Sequence, residues 1–61
     1  MCEAVVFVVK DGEKRQVMEN VVTVVPEGDK LLLTDLFGEQ KLMTARVEKV
    51  DLIGHEIILS Q

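Results

Sequence analysis

The sequence predicts an all-β fold, a small antiparallel barrel of five or six strands that pairs as a homodimer. Three observations carry this expectation. Valine is the commonest residue, and β-branched side chains, stiff at their first torsion, sit well on a pleated surface. Each of the four glycines falls between apolar segments, where hairpin turns belong. The runs 4–9 and 31–33 are apolar without a break, so both of their faces require cover. In a chain of 61 residues that points to a curled barrel whose exterior is partly buried by a partner.

The first strand is expected at 3–9. It ends at Asp11-Gly12, where both positions tolerate positive φ and a tight hairpin can close. The second, at 14–25, is long and is expected to bend or bulge at Glu19-Asn20. Val25-Pro26-Glu27-Gly28 then reads as a turn with proline at its second position. A third strand is placed at 30–36 and closed by Phe37-Gly38. A fourth is placed at 40–49, with Val50-Asp51-Leu52 as its extension. Ile53-Gly54 precedes the last strand, at 55–59. No helix of normal length, linker, internal repeat or low-complexity segment is read, so residues 1–61 are expected to form one domain.

Composition narrows the function classes. With 48% hydrophobic residues the chain is too apolar to be intrinsically disordered. Its longest apolar run, 4–9, is far short of the roughly 20 residues that a membrane-spanning helix needs. Glu3 stands where a signal peptide would carry basic residues, so the expected location is the cytoplasm. One cysteine excludes an internal disulfide and a four-cysteine zinc ribbon within one chain. A domain this short buries only about 60% of its unfolded surface, and self-association is the natural outlet for its apolar excess.

Catalytic constellations are missing. Ser60 is the single serine and His55 the single histidine, so a Ser-His-Asp triad is implausible. Asp35 and Glu39 form an acidic pair with little wall around it, and they read as turn residues. No phosphate-binding Gly-x-x-x-x-Gly-Lys segment occurs. The chain is not expected to be an enzyme.

Cys2 differs because of its position. If the initiator methionine is removed, the α-amine and thiolate of Cys2 form a five-membered chelate ring on a metal. Two symmetry-related copies then present two nitrogens and two sulfurs, a planar set suited to Ni(II) or Cu(II). If Met1 stays, a deprotonated amide nitrogen can replace the amine. The ordinary alternative is a small buried cysteine opening a strand. His55 is a second candidate ligand, though a turn after Gly54 favours a solvated imidazole. Met18 and Met43 are thioethers that read as core filler.

Nucleic acid is disfavoured as a ligand. Seven basic residues face 11 acidic ones, and there are two phenylalanines with no tyrosine or tryptophan for stacking. The modest basic cluster of Lys10, Lys14 and Arg15 is diluted by Asp11 and Glu13 and reads as a solvated hairpin.

The opening Met1-Cys2-Glu3-Ala4, with the strand and Asp11-Gly12 that follow it, resembles the start of the CooT family. The resemblance continues through Met18-Glu19-Asn20-Val21, Glu27-Gly28, Leu36-Phe37-Gly38-Glu39, Val50-Asp51-Leu52 and Ile57-Ile58-Leu59. It implies a homodimer of small β-barrels, Sm-like or SH3-like, with one Ni(II) at the dimer interface. The ligand it implies is Cys2, and it carries over no other. It further implies nickel storage or delivery for carbon monoxide dehydrogenase, with that enzyme or its maturation factors as partners. Similar sequences are also labelled as candidate RNA-binding proteins. That is the alternative reading, and it rests on fold analogy.

Overall fold

The computed structural model describes residues 3–61. Six strands follow one another: β1 (Ala4–Lys10), β2 (Glu13–Glu27), β3 (Lys30–Asp35), β4 (Gln40–Thr44), β5 (Arg46–Asp51) and β6 (Glu56–Ser60). They join in one sheet of order β4-β3-β2-β1-β6-β5. The all-β class and the strand count agree with the sequence. Two features of the expected barrel do not.

First, the sheet is open. β4 and β5 are its two edges, and each pairs on one side only. They are consecutive in the chain, separated by Ala45, which is buried at a corner. An antiparallel pair needs at least a two-residue turn between its strands. A one-residue corner therefore sends β4 and β5 apart and splits the strand expected at 40–49. At this corner the Gln61 side-chain amide donates to the Thr44 carbonyl at 3.0 Å.

Second, the sheet is not wholly antiparallel. β1 and β6 run parallel, with Val5 opposite Glu56 and Val9 opposite Ser60. Parallel neighbours cannot be joined by a hairpin and need a long connection. Here β2 to β5 supply it.

The first hairpin forms as expected, with Asp11 and Gly12 both at positive φ (54° and 79°). The second is displaced. Pro26 stays in β2 opposite Leu31, and the turn is Gly28-Asp29. Positive φ at Gly28 alone among these two is the pattern of a type II′ turn, which needs glycine first. β2 breaks its register with β1 around Glu19-Asn20, as expected. Asn20 there takes φ 58°, and asparagine tolerates that region better than most residues.

The core lies on one face of the sheet. Val6, Val8, Val21, Leu31, Leu33, Ala45 and Leu59 are buried, and Val17, Met18, Val24, Met43 and Ile57 pack against them. Each fully buried aliphatic side chain contributes about 1.5–3 kcal/mol. The runs 4–9 and 31–33 alternate buried with half-buried residues, so their outer face is only partly covered.

Candidate metal centre

Met1 and Cys2, the ligand expected from the sequence, lie outside the described residues. The part of the fold next to them is defined. β1 starts at Ala4, which pairs with Val21, and Val21 in turn pairs with Asp35 at the end of β3. On the other side of β1, the Val5 amide donates to the His55 carbonyl at 2.9 Å. The β3–β4 turn and the β5–β6 turn therefore stand at the same end of the sheet, on either side of the start of β1.

Both turns use the same device. Asp35-Leu36-Phe37-Gly38 and Asp51-Leu52-Ile53-Gly54 share the pattern Asp-Leu-apolar-Gly. The buried Asp35 carboxylate accepts the amides of Phe37 and Glu39, both at 2.9 Å. Asp51 accepts the Gly54 amide at 2.8 Å. A carboxylate that hydrogen-bonds its own following backbone fixes a turn without help from its other side chains. Those side chains face outward: Phe37 is 77% exposed, Leu52 81% and Ile53 94%.

The Gly54 amide holds the Asp51 carboxyl below its usual pKa; partial burial opposes this, and Lys49, the Ile53 amide and His55 assist. A side chain at Gly54 would collide with this carboxylate, since a Cβ there would lie 2.9 Å from Asp51 Oδ2.

His55 is exposed and sits at φ 56°, which agrees with the solvated turn expected for it. It lines a shallow recess of about 280 Å³ with Glu3, Ala4, Val50, Leu52 and Ile57. Among the described residues no group of three or more His, Cys, Asp or Glu could hold a metal ion. Met18 and Met43 pack against the core. Asp35 and Glu39 belong to one turn, as read from the sequence, although Asp35 is buried rather than solubilising.

The basic hairpin is solvated as expected. Lys14 Nζ lies 4.4 Å from the centre of the Phe7 ring, and Arg15 meets Glu13 at 3.4 Å with both side chains exposed. None of the described residues forms a helix long and apolar enough to cross a membrane. Sequence reasoning missed the repeated Asp-Leu-apolar-Gly turn. Its signal is an aspartate three residues before a glycine, with two apolar residues between them.

The molecule is thus a small open-sheet domain with its distinctive features gathered at the end where the chain begins. Residues 1–60 match the family model of the CO dehydrogenase accessory protein CooT, and the chain belongs to that family. The crystal structure of a protein described as a candidate CooT from Carboxydothermus hydrogenoformans superimposes with a TM-score of 0.91. It shares 32% sequence identity, and the match covers 98% of this chain and 97% of that one. An uncharacterized protein of Archaeoglobus fulgidus is 45% identical over 42 residues, 69% of this chain and 93% of its own. An uncharacterized protein of Methanocaldococcus jannaschii is 40% identical over 43 residues, 70% of this chain and 75% of its own.

Proposed function

We propose that the protein is a cytoplasmic nickel carrier or store for carbon monoxide dehydrogenase maturation, not a catalyst. It takes Ni(II) as cargo through the Cys2 thiolates of two copies in a symmetric dimer, with nitrogens of the two chain termini completing a planar set. The observation that carries this reading is the position of the sole cysteine. It precedes a strand that starts between two exposed apolar turns, at an end of the sheet suited to meeting a second copy. Family membership as an accessory protein of that enzyme supports the recipient.

Thiolate is the binding form, and an ordinary cysteine titrates near about 8.5, so loading releases protons and weakens as pH falls. Nickel titration of wild type beside Cys2→Ser, with mass spectrometry of the N-terminus, tests the assignment. Wild type is expected to bind one ion per two chains, with sulfur-to-nickel charge-transfer absorption. Cys2→Ser is expected to lose both and stay folded, and His55→Ala to change little. Unchanged stoichiometry and affinity in Cys2→Ser would refute the site, and loss of binding in His55→Ala alone would move the ligand there.

A further inference from the structure

Residues paired across neighbouring strands share a face of the sheet. The ladders therefore set Lys14, Val9, Ser60 and Arg46 in one row and Gln16, Phe7, Ile58 and Lys49 in the next, running from β2 through β1 and β6 to β5. Val6, Val8 and Leu59 fill the opposite face, so both rows lie on the outside of the sheet. Lys14 reaches along this outer face to Phe7, its Nζ 4.4 Å from the ring centre. The apolar floor of Phe7, Val9 and Ile58 is half-buried, and the described residues supply no second layer above it.

The charge on this face is one-sided. The chain carries a net charge of −4, yet among the described residues the two rows hold three cations and no carboxylate. Glu48 stands outside both rows, in the β5 bulge. A third row, Val5, Glu56 and Asp51, closes the face with carboxylates. Arg15 pairs with Val8 and so turns to the opposite face, where it meets Glu13.

We propose that this outer face docks an amphipathic helix of a partner protein, its apolar stripe on Phe7, Val9 and Ile58 and its acidic flanks on Lys14 and on Arg46 with Lys49. The surface is independent of the nickel reading and goes beyond it.

Width and charge favour that occupant. Neighbouring strands lie about 4.8 Å apart, so Lys14 and Arg46, on strands three spacings apart, stand about 14 Å from each other. A helix with its side chains is about 10–12 Å across and fits between them. An extended segment laid flat on the same face leaves its backbone groups without partners, whereas a helix satisfies its own. An apolar strip on a sheet is ordinarily covered by a second layer, and acidic flanks answer the cations on both sides. Nucleic acid fits less well. The Phe7 ring is capped by Lys14, and no other aromatic stands in either row to stack a base.

Fluorescence anisotropy of the full chain with a labelled synthetic peptide tests this. The peptide has about 18 residues, enough to form a helix, with leucines at helical spacing and glutamates on both flanks. Wild type should bind it, more tightly at about 20 mM than at about 500 mM salt, and the peptide should gain helical circular dichroism on binding. Lys14→Glu, and separately Arg46→Glu with Lys49→Glu, should stay folded and each lower the affinity about tenfold, since reversal replaces an attraction by a repulsion. Arg15→Glu makes the same change of net charge on the opposite face and should stay within about twofold of wild type. Cys2→Ser should bind as wild type does, so loss of nickel by that variant leaves this surface standing.

Absence of binding at roughly 1 mM peptide would overturn the proposal. So would a loss in Arg15→Glu as large as that in Lys14→Glu, equal binding of a peptide with lysine flanks, binding without gain of helix, or loss of binding in Cys2→Ser. A mixed single-stranded RNA bound through Lys14 in preference to the peptide would overturn it too and assign the face to nucleic acid.

Discussion

Asp35 organises the β3–β4 turn through one carboxylate oxygen that accepts the amides of Phe37 and Glu39, each at 2.9 Å. The turn is closed further by the Asp35 amide on the Glu39 carbonyl and by the Gly38 amide on the Asp35 carbonyl. Asp35→Ala removes the acceptor and leaves two amides facing a partly buried site. A hydrogen bond to a charged group contributes about 1.5–3 kcal/mol. Two bonds sharing one oxygen at a half-open site give about 3 kcal/mol together. A 61-residue domain has roughly 3–9 kcal/mol of stability in all. The loss is therefore a third of the total or more, and Tm should fall by about 12–24 °C. Asp35→Asn keeps an amide oxygen for the same two donors and should cost about 1 kcal/mol. Urea unfolding followed by far-ultraviolet circular dichroism measures both. The reasoning fails if Asp35→Ala lies within about 0.5 kcal/mol of wild type, the range of an ordinary surface change. It fails equally if Asn proves as damaging as Ala, because the oxygen acceptor is then not what holds the turn.

Two further outcomes follow from packing and charge. Leu59 is fully buried in β6, and Leu59→Ala should cost about 3 kcal/mol in the same unfolding assay. The Asp51 carboxyl has a lower pKa folded than unfolded. Its contribution is present above the unfolded value of about 4 and is lost as pH falls through the folded one. Asp51→Asn should flatten that acid limb of the stability curve, and Gly54→Ala, by displacing the carboxylate, should do the same. An acid limb unchanged in both would refute the assignment.

Much of this fold is legible from residue types. Asp11-Gly12 accepts positive φ at both positions, so the first hairpin could be placed to the residue. The break in β2 was expected at Glu19-Asn20, and there Asn20 takes positive φ. The unforeseen corner and the unforeseen parallel pairing share one cause, long-range geometry that no local pattern encodes. Nothing around Ala45 announces a corner, since its neighbours Thr44 and Arg46 are ordinary strand residues. Only the separation of β4 and β5 across the whole sheet shows it. Pro26 has the local chemistry of a turn, yet it sits in the ladder opposite Leu31, leaving the reversal to Gly28. Cys2 was marked by its place in the chain, the single cysteine directly after Met1, rather than by a spacing pattern. The apolar turns were read as punctuation for their glycines, and what Leu52 and Ile53 do between their caps depends on which end of the sheet they occupy.

The parallel pairing of β1 with β6 has a consequence for synthesis. β6 is made some 50 residues after the strand it pairs with, so one side of β1 has no neighbour until then. Such distant closure is slow, and an apolar strand edge left waiting is a template for mispairing. β5 depends on the same event, because its only ladder is with β6. A chain cut before Glu56 thus forms a sheet that lacks an interior strand and has set an edge strand adrift. The integrity of both β1 and β5 therefore rests on Glu56–Ser60.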